Sequence, residues 1–177
     1  MMQMLKTSLL TITLISLLSA CGWHLRGQAN IPPALRILHV EMSAADFTTQ
    51  KLLTNALKNN NVTLTEDAEY QLRIVSVDSD KRTLSVSSSA KASEYELIET
   101  LVFNMRNAEG QAVTADMEIK SYRTQQYDAD ASAGEAQEEA QMRRELKRDN
   151  VNKLMYKLQA LRVDQFKVQQ SEAQDAP

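Results

Sequence analysis

The sequence predicts an α+β fold, a two-layer sandwich in which a mostly antiparallel sheet of about four strands carries two helices on one face. Three observations predict it. Between residues 70 and 122 apolar and polar side chains alternate with the period of a strand that buries one face. Two segments, about 46–60 and 133–162, instead repeat their apolar residues at helical spacing. Turn-forming runs, Asn59-Asn60-Asn61 and Asn107-Ala108-Glu109-Gly110, punctuate the series. Elements with one apolar side each must pack against one another, and two layers are the simplest solution. The length of 177 residues and the hydrophobic fraction of 43% suit one such domain.

Residues 36–42 (RILHVEM) read as a short strand. Asp46 or Ser43 caps a helix that runs to about Asn60, with Thr49, Leu52, Leu53, Ala56 and Leu57 on its inner side. The asparagine triplet stops it, because Asn tolerates left-handed φ. Val62 to Thr65 is a short extended piece. In the strand from Tyr70 to Asp78, Tyr70, Leu72 and Ile74 alternate with Gln71 and Arg73. The apolar side then switches face at Val75 and Val77. The Ser-rich stretch 79–93 is expected to be a long hairpin connection, with strand extensions through Leu84 and Val86. Residues 94–106 form the clearest strand, with Tyr95, Leu97, Leu101, Phe103 and Met105 on one face and Glu99 interrupting them. A strand over 111–122 follows, placing Val113, Ala115, Met117 and Ile119 on its packed side. The last helix begins with a capping box, Ser132 and Glu135, and ends among Lys153, Lys157 and Arg162, which complement its dipole. Val151, Leu154, Met155, Leu158 and Leu161 make its apolar stripe.

The ends of the chain read differently. Residues 1–20 resemble a secretion signal: Lys6 supplies the positive start, and Leu9 to Leu18 is an apolar run too short to span a bilayer, which needs about 20 residues. Leu18-Ser19-Ala20-Cys21 resembles the lipobox of bacterial lipoproteins, in which small residues enter a peptidase cleft and the cysteine becomes the lipidated N-terminus. The expected organisation is a signal peptide at 1–20, a lipidated linker at 21–35, the sandwich domain at 36–165 and a polar, disordered tail at 166–177. Cys21 would carry a diacylglycerol and an N-acyl chain; each buried methylene contributes about 0.8 kcal/mol, so several chains anchor stably. Gly22 stands where an Asp would favour retention at the inner membrane, and its presence resembles an outer-membrane destination.

Charge narrows the function. The net charge is −3, and without the first twenty residues, whose only charge is Lys6, 19 basic residues stand against 23 acidic ones. A chain of that balance lacks the broad basic face of a nucleic-acid binder. Catalysis finds little footing. The two histidines, His24 and His39, have no carboxylate pattern beside them, the single cysteine is taken by the lipid, and no Gly-rich phosphate loop, HExxH or CxxC spacing exists. No metal or cofactor is therefore expected. Glu135, Glu138 and Glu139 read as a solvated first helical turn, and Arg143, Arg144, Lys147 and Arg148 as a solvated helix face with a Glu139–Arg143 pair at i,i+4. Lys81 with Arg82, and Lys120 with Arg123 around Tyr122, lie beside strand ends. They are the candidates for meeting the phosphates of a lipid head.

Cys21-Gly22-Trp23-His24-Leu25-Arg26-Gly27 resembles the mature start of the LptE family of lipopolysaccharide-assembly lipoproteins. Glu94-Tyr95, which opens the long strand, and Lys120-Ser121-Tyr122-Arg123, a Lys-x-aromatic-Arg pattern, continue the similarity. The order of elements agrees from Cys21 to about Leu161. The resemblance implies a lipid-anchored outer-membrane protein, facing the periplasm or seated in the lumen of an LptD-type barrel. It would help that barrel assemble and take part in binding and inserting lipopolysaccharide. Ser85 to Ser89 and Ala133 to Ala136 hold no basic residue, although some family members carry positive charge there. Lys81, Arg82, Lys120 and Arg123 are the expected lipopolysaccharide-binding residues. The alternative is an accessory lipoprotein of another envelope lipid-transport or barrel-assembly machine.

Overall fold

A computed structural model describes residues 30–86, 92–126, 132–164 and 166. Strand β1, Ile37–Glu41, leads to helix α1, Phe47–Asn59. Asp46 caps α1, its carboxylate accepting the Thr48 and Thr49 amides at 3.0 and 3.2 Å. Asn61 ends the helical excursion in the left-handed region, at φ 59°. The chain then enters the short strand β2, Thr63–Leu64, followed by β3, Tyr70–Val86, β4, Ala92–Asn107, and β5, Met117–Gln126. The long helix α2, Ser132–Ala160, closes the fold.

The sheet has five strands in the order β2-β1-β3-β4-β5. The expected meander is present, since β3, β4 and β5 pair antiparallel. Two expectations change. There is one strand more than four, and β1 pairs parallel with both β2 and β3. The reason is topological: α1 returns the chain to the level where β1 began, and a helical crossover produces parallel neighbours.

The phase switch at Val75 has a physical counterpart. Ile74 faces Phe103 and Ser76 faces Val102, so Val75 is the extra residue of a β-bulge. Beyond it Val77 pairs with Leu101, whose side chain lies on the packed face. The expected strand extensions through Leu84 and Val86 are present: residues 79–86 prolong β3, and β4 runs beside them from Ala92. The third long strand starts later than expected, at Met117. After the turn at Gly110 (φ +78°), the Val113 amide donates to the Met105 carbonyl at 2.9 Å while the Thr114 hydroxyl accepts the Met105 amide at 3.0 Å, so a side chain takes one bond of the pairing and the regular strand begins only later.

Both helices lie on the packed face. Leu38, Leu53, Leu57, Leu72, Phe103, Leu154 and Leu158 form the centre of a contiguous core. Each such buried side chain contributes about 1.5–3 kcal/mol relative to exposure. Ile31 and Leu35 join that core, although they fall in the stretch expected as linker, and Pro33–Leu35 forms a 3₁₀ turn. At the other end Phe166, the first residue of the expected tail, is buried edge-on against Tyr70, ring centroids 5.7 Å apart. Proline fixes φ without preventing a tight turn, and Phe166 covers the start of the central strand β3.

Candidate functional site

The sheet has two surfaces of interest: a polar layer trapped under the first half of α2, and the face that no helix covers.

The polar layer begins with Glu99. It stands on the packed face of β4 and is 0% exposed. Its carboxylate accepts the Ser79 hydroxyl at 2.6 Å and Arg143 Nη1 at 3.2 Å. Arg143 also pairs with Glu139 at 2.8 Å, the expected i,i+4 pair. Lys81 reaches the same Glu139 at 2.7 Å and lies 4.1 Å from the centre of the Tyr95 ring. Lys81 and then Arg143 hold the Glu139 carboxyl below its ordinary range, against an opposing push from burial. Deeper along α2, Asn150 Nδ2 donates to the Glu99 carbonyl at 2.8 Å, and Lys153 donates to the Ser121 hydroxyl at 2.7 Å. Lys147 pairs with Asp46 at 2.8 Å. Burial raises the Asp46 carboxyl, but hydrogen bonds from Lys147 and Thr49 outweigh it and hold the group at about 2.

The helix face read as solvated is therefore divided. Arg144 and Arg148 are exposed, whereas Arg143 and Lys147 turn inward to carboxylates. Glu139, read with the solvated first turn, is likewise engaged by two cations. The available signal was Glu99 itself, because a carboxylate in an apolar alternation needs a cation from the facing element.

The open face is mixed. Along β3, β4 and β5 its cross-strand rows include Asp80–Ile98–Tyr122, Asp78–Thr100–Lys120 and Arg82–Glu96–Thr124. Tyr122 and Leu84 are its exposed large side chains here. Toward β1 the face is more polar, although Ile37 stands exposed on it: Arg73 pairs with Glu41 at 3.5 Å, and Asn104 donates to Asp116 at 2.7 Å.

The four expected lipid-head residues do not form one cluster. Lys81 and Arg123 lie on the helix-covered face, where Arg123 approaches Asp149 of α2 at 3.8 Å. Arg82 and Lys120 lie on the open face. Arg82 sits 2.7 Å from Glu96 without hydrogen-bond alignment, and Lys120 pairs with Glu118 at 2.9 Å. Successive residues of a strand point to opposite faces, so Lys81 and Arg82 had to separate. Cys21 and His24 fall outside the described residues, and His39 sits half-buried on β1. Among the described residues no group of three His, Cys, Asp or Glu is placed to hold a metal ion. No described helix is long and apolar enough to cross a membrane. A groove of about 440 Å³ between the helices is lined by Leu52, Asn55, Asn59, Arg148, Met155 and Tyr156, among others.

Comparison with known proteins places this architecture. The chain is 32% identical over 82 residues to the LPS-assembly lipoprotein LptE of Photorhabdus laumondii, covering 45% of each chain. It is 29% identical over 87 residues to that of Pectobacterium atrosepticum, covering 47% of each. These alignments span about half the length of each relative. The fold is shared with a minor lipoprotein from Acinetobacter baumannii, at TM-score 0.63 and 23% identity over 73% of this chain and 94% of that one. It is also shared with an uncharacterized lipoprotein B from Nitrosomonas europaea, at TM-score 0.65 and 22% identity over 78% and 91%. The family model for LptE, described as lipopolysaccharide-assembly, matches residues 35–158, which run from the first core leucine to the end of the α2 stripe, and the chain belongs to that family.

Proposed function

We propose that this chain is a non-catalytic outer-membrane lipoprotein, acylated at Cys21, that seats in the lumen of an LptD-type barrel, helps it assemble and takes part in delivering lipopolysaccharide to the outer leaflet. The observation that carries the reading is family membership across residues 35–158, a span containing the whole open sheet face. A barrel lumen is polar. A face of paired charges with Tyr122 and Leu84 standing out of it suits such a wall better than it suits a second apolar layer. Central anchors ringed by polar groups are the usual form of an interface. The acyl tether would raise the local concentration of the body at its partner.

Pull-down of the full chain from outer membranes in mild detergent, with partners identified by mass, tests this. A stable one-to-one complex with a large barrel is expected. Recovery of a different envelope transporter or barrel-assembly component instead would favour the accessory-lipoprotein alternative. Labelled palmitate should enter the mature polypeptide and be lost in Cys21→Ser. For the glycolipid, the open-face pair Arg82 and Lys120 and the helix-side pair Lys81 and Arg123 should be neutralised separately. Lipopolysaccharide binding that weakens in a salt-dependent way supports a role for that pair. Unchanged binding at low salt in both removes all four residues from consideration.

A further inference from the structure

Leu97 on β4 and Leu146 on α2 are both 0% exposed, yet neither belongs to the contiguous core. Around them the first half of α2 is joined to the sheet by polar ties. Lys81 and Arg143 converge on Glu139, Arg143 reaches Glu99, and Gln125 Nε2 donates to the Glu135 carbonyl at 3.4 Å. From Asn150 onward two polar ties persist, Asn150 to the Glu99 carbonyl and Lys153 to the Ser121 hydroxyl, but Val151, Leu154, Met155 and Leu158 fasten the helix within the core.

We propose that the first half of α2, residues 134–146, and the far part of the sheet, residues 79–85, 94–99 and 121–126, form a strap and its seat that separate in one step while the remainder of the domain stays folded. Three features favour separation there. The ion pairs at Glu139 are partly exposed and hold weakly. The buried Glu99–Arg143 pair regains hydration when the strap lifts, which offsets the loss of its attraction. The core that fastens the second half of α2 is not touched by the movement. A lifted strap uncovers Leu97 between the cations Lys81 and Arg123, with Tyr95 in the next row of the sheet. That surface is amphipathic, with Lys81 and Arg123 outnumbering Glu99, and the closed form hides Leu97 and Glu99.

Thiol accessibility of the full chain tests this, with labelled positions located by peptide mass so that Cys21 is read separately. Leu146→Cys is compared with Leu154→Cys on the same helix, and Leu97→Cys with Leu101→Cys on the same strand, because all four side chains are buried. Alkylation at positions 146 and 97 should share one rate, at least about tenfold faster than at 154 and 101. It should change little with urea below the unfolding transition, because a partial opening exposes little surface. Glu139→Gln should accelerate labelling at 146 and 97 but not at 154 and 101. Labelling at 146 with the rate and full urea slope of global unfolding overturns the proposal. So do unrelated rates at 97 and 146, which would mean that strap and seat fray independently.

Discussion

The two ends of the sheet solve the same packing problem with different chemistry. Near β1 and the start of β3 the sheet meets both helices through leucines, Phe103 and Phe166. At the far end it meets one helix through Lys81, Glu99, Ser121 and Gln125, with Leu97 and Leu146 as buried apolar residues among them. Apolar burial is non-directional and stabilises any close-packed arrangement. Buried polar groups contribute less net stability but discriminate strongly against misplacement, because an unmatched partner leaves a desolvated charge or dipole. Even the native far end bears some of that cost: Asn150 Oδ1 and Gln125 Oε1 have no partner among the described residues. The near end thus supplies stability, and the far end supplies specificity of position.

Substitutions can break or sharpen this contrast. The largest effect is expected for Phe103→Ala, which empties the centre of the near end and should cost about 3–5 kcal/mol of unfolding free energy in urea titration. Arg143→Met should cost about 3 kcal/mol, since it leaves Glu99 buried without its cation. Adding Glu99→Met should restore most of that loss. A double variant as unstable as Arg143→Met alone would show that the charges are not what couples the two positions.

Asp46 joins the two ends through its cap on α1 and its pair with Lys147. Asp46→Ala should lose about 1 kcal/mol at neutral pH. The carboxyl is held at about 2 in the fold against an ordinary 3.8. Its pH-dependent contribution is therefore complete above about pH 4 and disappears as pH falls through about 2. The stability difference between wild type and Asp46→Asn should narrow over that interval, and a constant difference would mean that the charge is not responsible. Arg82→Ala and Lys120→Ala, on the open face, should change stability by no more than about 0.5 kcal/mol each. Larger losses from either would give the open face a structural role that the contrast denies it.

The near end was the more legible in sequence. Its inner residues obey simple periodicities: Leu72 and Ile74 alternate, and Leu154 and Leu158 repeat by helical turns. The cap, narrowed to Asp46 or Ser43, and the stop in the asparagine triplet are also readable, because each rests on a local preference; the structure uses Asp46 and Asn61. The far end obscured itself by using polar residues at inner positions. Continuing the α2 stripe backward from Val151 in steps of four gives Lys147 and Arg143, which marks both as inward-facing, but their charge reads as a surface. Polarity likewise disguised Ser121 and Gln125 at buried positions of β5, so that strand was placed too early. The parallel pairing of β1 was not legible at all, because two short strands leave the choice of neighbour to the crossover. Strand alternation divides Lys81 from Arg82, because β3 continues past residue 79, and divides Lys120 from Arg123, which stand an odd number of residues apart on β5.

One consequence follows from β4, whose residues serve both ends. A slip of one residue would turn Phe103 and Met105 outward and bring Asn104 and Thr100 in. A slip of two would keep the greasy side inward, and an all-leucine interior would scarcely resist it. It would, however, carry Glu99 away from both Ser79 and Arg143. The lone carboxylate thus acts as an index mark on a ruler, admitting a single alignment of three long strands where oily contacts alone would tolerate several.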